Sequence, residues 1–177
     1  NVPIQLLYSH KCGQYDSLHT PLQSLTNFAT GLSFAYNFDK KLNIMNGLIT
    51  IQSAYPVSKT IDRLISIIES RGMTVFARID HAGNALETGL FLRPTGLIIF
   101  GNPKAGTLLM QDNQTSGIDL PVKILAWEDE QGKAWLTYND INWIAERHGL
   151  STKSDSMINA IAEGMTSLVT SATNIEK

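Results

Sequence analysis

Gly96-Leu97-Ile98-Ile99-Phe100-Gly101-Asn102-Pro103-Lys104 is the stretch on which the fold turns. Five residues without a charge, apolar at odd and even positions alike, predict a central strand covered on both faces and the best-buried element of the domain. Gly101-Asn102-Pro103 then breaks the strand. Asn102 suits the cap and Pro103 the first position of a following helix, because the side-chain oxygen of one accepts an orphan amide and the other has no amide to lose.

Upstream of this stretch, Thr74 to Asp80 alternates. Val75, Ala77 and Ile79 are expected on one face and Phe76, Arg78 and Asp80 on the other. Before it, Pro56 opens a helix in which Val57, Ile61, Leu64, Ile65 and Ile68 recur at helical spacing, closed by Gly72, and Leu48 to Ser53 reads as a strand. His81 to Glu87 reads as a short helical turn. Downstream, Val122 to Glu128 and Ala134 to Tyr138 form a hairpin about Asp129-Glu130-Gln131-Gly132, with Trp127 and Trp135 placed to pair across it. Asp140 to His148 reads as a helix stopped by Gly149. The last helix carries a stripe of Met157, Ile158, Ile161, Met165, Leu168, Val169 and Ala172.

Residues 1–46 read differently. One helix, Pro21 to Ala29, is capped by Thr20 and carries Leu22, Leu25 and Phe28, so residues 1–46 are expected as an extension packed on a main domain of residues 47–177. At 177 residues, one domain burying roughly 70% of its unfolded surface suffices. With 43% hydrophobic and 17% charged residues the chain falls among globular proteins. No apolar run approaches the ~20 residues that span a bilayer, so no membrane insertion is expected. A net charge of -2 and a pI near 6.1 leave no basic footprint for nucleic acid. Cys12 is the only cysteine, which excludes an intramolecular disulfide and covalent haem attachment through a Cys-x-x-Cys-His motif. The chain opens at Asn1 instead of Met, as export to a periplasm followed by cleavage would leave it, and equally as trimming would.

Three blocks together resemble the domain-of-unknown-function family 302. They are Arg71-Gly72-Met73-Thr74-Val75-Phe76-Ala77-Arg78-Ile79-Asp80-His81, then Leu92-Arg93-Pro94-Thr95 through Ile99-Phe100-Gly101-Asn102-Pro103-Lys104-Ala105-Gly106-Thr107, then Gly117-Ile118-Asp119-Leu120-Pro121-Val122-Lys123 with Trp127-Glu128-Asp129 and Tyr138-Asn139-Asp140. The resemblance implies an α+β, TATA-binding-protein-like fold, an antiparallel-rich sheet with helices on one face, and a homodimer. It does not extend over residues 1–46, and a fold of this kind does not supply an activity.

The candidate site residues come from those blocks. Asp80-His81 at a strand end offers a base, a metal ligand or a haem ligand, against the simpler account of a histidine satisfied by a local hydrogen bond. Asn102, Lys104 and Thr107 sit at a helix start that suits a small anion, against a plain cap. Arg93, Asp119, Lys123 and Tyr138 either line a pocket with His81 or form one salt-bridge network. Met110 offers a soft ligand, against the simpler account of a core residue beside Leu108 and Leu109, and His148 reads as a helix-end cation needing no further role. His10, Cys12, Asp16 and His19 match no zinc spacing. Neither a Gly-x-Ser-x-Gly elbow nor a His-Glu-x-x-His pair exists.

The expectation is therefore a non-enzymatic domain for a small anionic ligand, built around His81, Arg93, Asn102 and Lys104. Its rivals are a non-covalent haem or redox protein ligated by His81, and a small hydrolase or isomerase pairing His81 with Asp80 or Asp119.

Overall fold

Residues 47–175 are described by a computed structural model. The expected extension over residues 1–46, with its Pro21 to Ala29 helix and its His10, Cys12, Asp16 and His19, lies outside the described residues. Along the chain run β1 (Leu48–Gln52), α1 (Val57–Ser70), β2 (Thr74–Asp80), α2 (His81–Glu87), β3 (Thr95–Gly101), α3 (Pro103–Asp112), β4 (Lys123–Glu128), β5 (Ala134–Asn139), α4 (Ile141–Arg147) and α5 (Asp155–Thr173). Short 3-10 turns occupy Gln114–Ile118 and Thr152–Ser154. No described helix is long and apolar enough to cross a membrane.

The strands form one antiparallel sheet in the order β1-β5-β4-β3-β2. One face of it meets α1 and α5. Ile98, Phe100, Ile124, Ala126, Leu136 and Tyr138 point toward Val57, Ile61, Leu64 and Ile68 of α1 and toward Met165, Leu168, Val169 and Ala172 of α5, in a single core. Complete burial of a side chain such as Leu64, Ile98 or Leu136 stabilises by about 1.5–3 kcal/mol each. A smaller core of Leu109, Ile141, Ile144, Ala145 and Ile158 joins α3, α4 and α5. The fold is α+β with helices on one side, as expected.

Local chemistry explains the boundaries. α1 ends because Gly72 takes φ +69, letting its amide reach Glu69 O and that of Met73 reach Ile68 O, so two last-turn carbonyls are satisfied. Asn102 accepts from Lys104 N at 2.9 Å and Pro103 opens α3. The β4-β5 turn closes on Asp129, whose carboxylate accepts from Gln131 N, Lys133 N and Trp135 Nε1. Trp127 and Trp135 stack across the hairpin with ring centroids 6.2 Å apart.

Two expectations about the sheet are corrected. β3 is the strand next to the edge, and β4 holds the centre; only Gly96, Ile98 and Phe100 of β3 are buried, while Leu97 and Ile99 stay half-exposed on the face turned away from α1 and α5. A continuous apolar run does not distinguish a strand covered twice from one with a partly open apolar face. In β2 the register shifts between Val75 and Ala77. Val75 pairs with Phe100 on the core face, whereas Ala77 and Ile79 pair with Ile99 and Leu97 on the open one. The bulge at Phe76 splits a row that strict alternation puts on one side.

Candidate functional site

Between α3 and α5, at the sheet end where β3 finishes and β4 begins, lies a groove of about 500 Å³. Phe100, Val122 and Leu168 belong to its lining, as do Met73, Met110, Met157 and Met165, all four methionines of the described residues. The space exists because both helices carry small residues there, Ala105 and Gly106 on α3, Ala160 and Gly164 on α5. A Cβ built on Gly106 or Gly164 meets nothing within 4 Å. Met110, expected in the core, is half-buried in this wall, with Leu109 taking the core position behind it. Unbranched thioether side chains adapt to a guest of irregular shape, so this lining suits an apolar ligand.

Among the described residues Arg71 is the one charged lining residue. From the C-cap of α1 it reaches across to α5, donating from NH1 to Gly164 O at 3.4 Å and from NH2 to Ser167 Oγ at 3.0 Å.

Two polar clusters brace the segments that follow α3. Asp112, at its end, accepts from Ser154 Oγ at 2.7 Å, from Ser151 Oγ at 2.8 Å and from Ser151 N at 2.7 Å. The bonds from Ser154 and Ser151 hold its carboxyl below the ordinary 3.8. Asp119 receives His148 Nε2 at 2.7 Å and Arg147 NH1 at 3.2 Å, and His148 Nδ1 meets Thr115 Oγ1 at 3.1 Å. A carboxylate only accepts, so the proton of the short contact sits on Nε2.

The expected site residues do not converge. Asp80 caps α2 by accepting from Gly83 N, His81 opens that helix, and Arg93 Nε donates to Glu128 O, all at the sheet end where β3 begins. Asn102, Lys104 and Thr107 lie beyond the other end of β3, about 20 Å away by the strand's own length. Lys123 pairs with Ile99 on the open face. Tyr138 is buried in the main core, and that burial pushes its phenol pKa up against a bond with Thr166. Asp119 is bound to His148, a residue expected to need no role, and not to His81. Among the described residues no group of three or more metal-capable side chains forms, around His81 or elsewhere. Of the nine expected residues, Asn102 and Thr107 do line the groove. Arg71, Met73, Met157, Met165 and the two helix glycines were not among the expected site residues, although glycines inside helical patterns are a signal worth following.

The family profile described as "Domain of unknown function DUF302" matches residues 49–168. The chain belongs to the DUF302 family. It is 53% identical over 121 residues to a protein of Brucella suis named fluoride-specific ion channel FluC 1, and equally to one of Brucella melitensis named FluC 2. The matched stretch is 68% of this chain but 48% and 45% of those two, so the chain spans about half the length of each relative. The crystal structure of an uncharacterized conserved DUF302 protein from Bacillus stearothermophilus superposes with a TM-score of 0.64, over 71% of this chain and 98% of that one. At 16% identity it shares the fold alone.

Proposed function

We propose that this DUF302 domain is a non-enzymatic binding module whose site is the groove between α3 and α5. The groove carries the proposal: about 500 Å³ of concave, mostly apolar surface lies within the range of small-molecule sites. The polar residues that would serve a hydrolase are engaged elsewhere, Asp80 by Gly83 N and Asp119 by His148. A haem on His81 is the rival reading, and an absorption spectrum with added haemin separates the two, since a band near ~400 nm lost in His81→Ala favours haem. In the Brucella relatives, on this proposal, the matched half is a binding appendage and the fluoride path belongs to the other half; no described helix here could cross a membrane.

N-phenyl-1-naphthylamine, a neutral apolar dye that brightens when dehydrated, tests the site. The full chain is expected to bind it, and the double variant Gly106→Leu/Gly164→Leu, which fills open space on two helices, to lose binding while keeping its circular dichroism. Unchanged dye binding in that variant would put the site elsewhere.

A homodimer is the partner this proposal includes. Leu86, Leu90 and Phe91 are 75%, 67% and 88% exposed in and after α2, more contiguous apolar surface than scattered single residues present. Sedimentation is expected to give twice the chain mass and Phe91→Asp the single mass; a monomeric parent chain removes the proposal.

A further inference from the structure

The groove is apolar along its length and cationic at one place. Among the described residues Arg71 is its single charged lining residue, and none of their carboxylates lies within ion-pair distance of that guanidinium; Asp62 faces Arg78, and Asp119 faces Arg147 and His148. Its two bonds go to a carbonyl and a hydroxyl, which leave the charge uncompensated and donors of the planar fork unused. Those same bonds fix the guanidinium across the gap between α1 and α5, so a guest finds it already oriented. A cation beside low-dielectric walls attracts an anion more strongly than one in open water. Apolar walls with a pre-placed arginine that meets no carboxylate among the described residues match a molecule of the same polarity pattern.

We infer that the groove takes a free single-chain amphiphile with an anionic head, the tail lying along Met73, Met110, Met157 and Met165 and the head on Arg71. This names the ligand class of the site proposed above and rests on it. The head chemistry is that of a carboxylate or a phosphate ester, both of which accept two parallel N–H bonds from arginine. Of the polar lining residues beside Arg71, Thr107 donates its hydroxyl to Pro103 O, and Asn102 caps α3 with its side-chain oxygen while its amide nitrogen is a neutral donor, weaker toward an anion than the guanidinium.

Displacement of bound N-phenyl-1-naphthylamine from the full chain by decanoate and by decanol, both kept below aggregation, tests the inference. Decanol is the more hydrophobic of the two, so the apolar walls alone favour it. Decanoate is expected to displace the dye at about tenfold lower concentration, the size of one charge-assisted bond. Arg71→Gln is expected to abolish that preference, decanoate and decanol then being compared with each other against the variant's own affinity for the dye. Equal displacement by the two, or a decanoate preference that persists in Arg71→Gln, overturns the anionic head and leaves the groove proposal standing. No saturable dye binding by the parent chain overturns both. Flotation with phosphatidylglycerol vesicles that needs Arg71, together with no displacement by decanoate, overturns the free amphiphile in favour of a bilayer surface.

Discussion

His148 Nε2 and Asp119 Oδ2 lie 2.7 Å apart although 29 residues separate them, and both side chains are almost withdrawn from water, at 7% and 12% exposure. The pair ties the loop after the Gln114–Ile118 turn to the end of α4, and Asn113 Nδ2 strengthens the tie by donating to His148 O at 2.6 Å. Leu120, Pro121 and Val122, which follow Asp119, belong to the groove lining. A bond between two distant segments thus holds part of the candidate site in place.

Removing one partner leaves the other buried without its bond, which costs about 1–3 kcal/mol. Asp119→Ala and His148→Ala are therefore each expected to lower the urea midpoint, and the double variant to cost less than their sum. His81→Ala is expected to change stability by less than about 0.5 kcal/mol, as half-exposed positions without a special contact do. Equilibrium urea unfolding at neutral pH compares all four. A large loss at His81 together with a negligible one at His148 would return attention to the strand end at Asp80.

Acid should weaken the fold through Asp112 and Asp129. Hydrogen bonds from Ser154 and Ser151 depress the first. For the second, partial burial acts to raise the value, but bonds from Lys133 N, Trp135 Nε1 and Gln131 N outweigh it. Both carboxyls thus hold their protons less tightly folded than unfolded. The stability they contribute is complete above the ordinary carboxylate value of 3.8 and is lost as pH falls through their lower folded values. Asp112→Asn is expected to flatten the decline of stability below about pH 4. Thermal midpoints measured across that range, parent against variant, check it; parallel curves would mean Asp112 is not linked.

Two glycines should respond to added side chains with opposite signs. A Cβ on Gly96 would stand 2.8 Å from Ile61 Cδ1, between β3 and α1, so Gly96→Val overpacks the main core and is expected to cost about 1–3 kcal/mol. Gly164, inside α5, has open space before it, and Gly164→Ala is expected to stabilise by about 0.5–1 kcal/mol through backbone entropy. Calorimetric midpoints of the two variants decide; a destabilised Gly164→Ala would show that the groove wall is closer than 4 Å in solution.

Local signals were legible where local physics acts. Thr74–Asp80 and His81–Glu87 appear with the bounds their sequence suggests, and Asn102-Pro103 starts α3 as a cap and a proline should. The apolar rows of α1 and α5 were readable for the same reason, since a 3.6-residue period puts one side of a helix against the core whatever the neighbour is. The open face of β3 was not, because an apolar residue at the surface looks the same in sequence as one inside. Nor was the bulge at Phe76, because one extra residue leaves an alternating pattern unmarked yet moves every later side chain to the other face.

Sequence alone determined the element order, the caps and turns, the membership of the family and the residues with any chemistry to offer. Tertiary structure alone decided which of them meet. Strand pairing set His81 and Asn102 at opposite ends of β3, and the return of α4 brought His148 to Asp119. The packing of α3 beside α5 turned four scattered methionines and two helix glycines into one groove under Arg71. Capping and periodicity act between residues a turn apart and are written in neighbouring letters. Convergence depends on how strands and helices pack over the whole core, and no short stretch of sequence contains that.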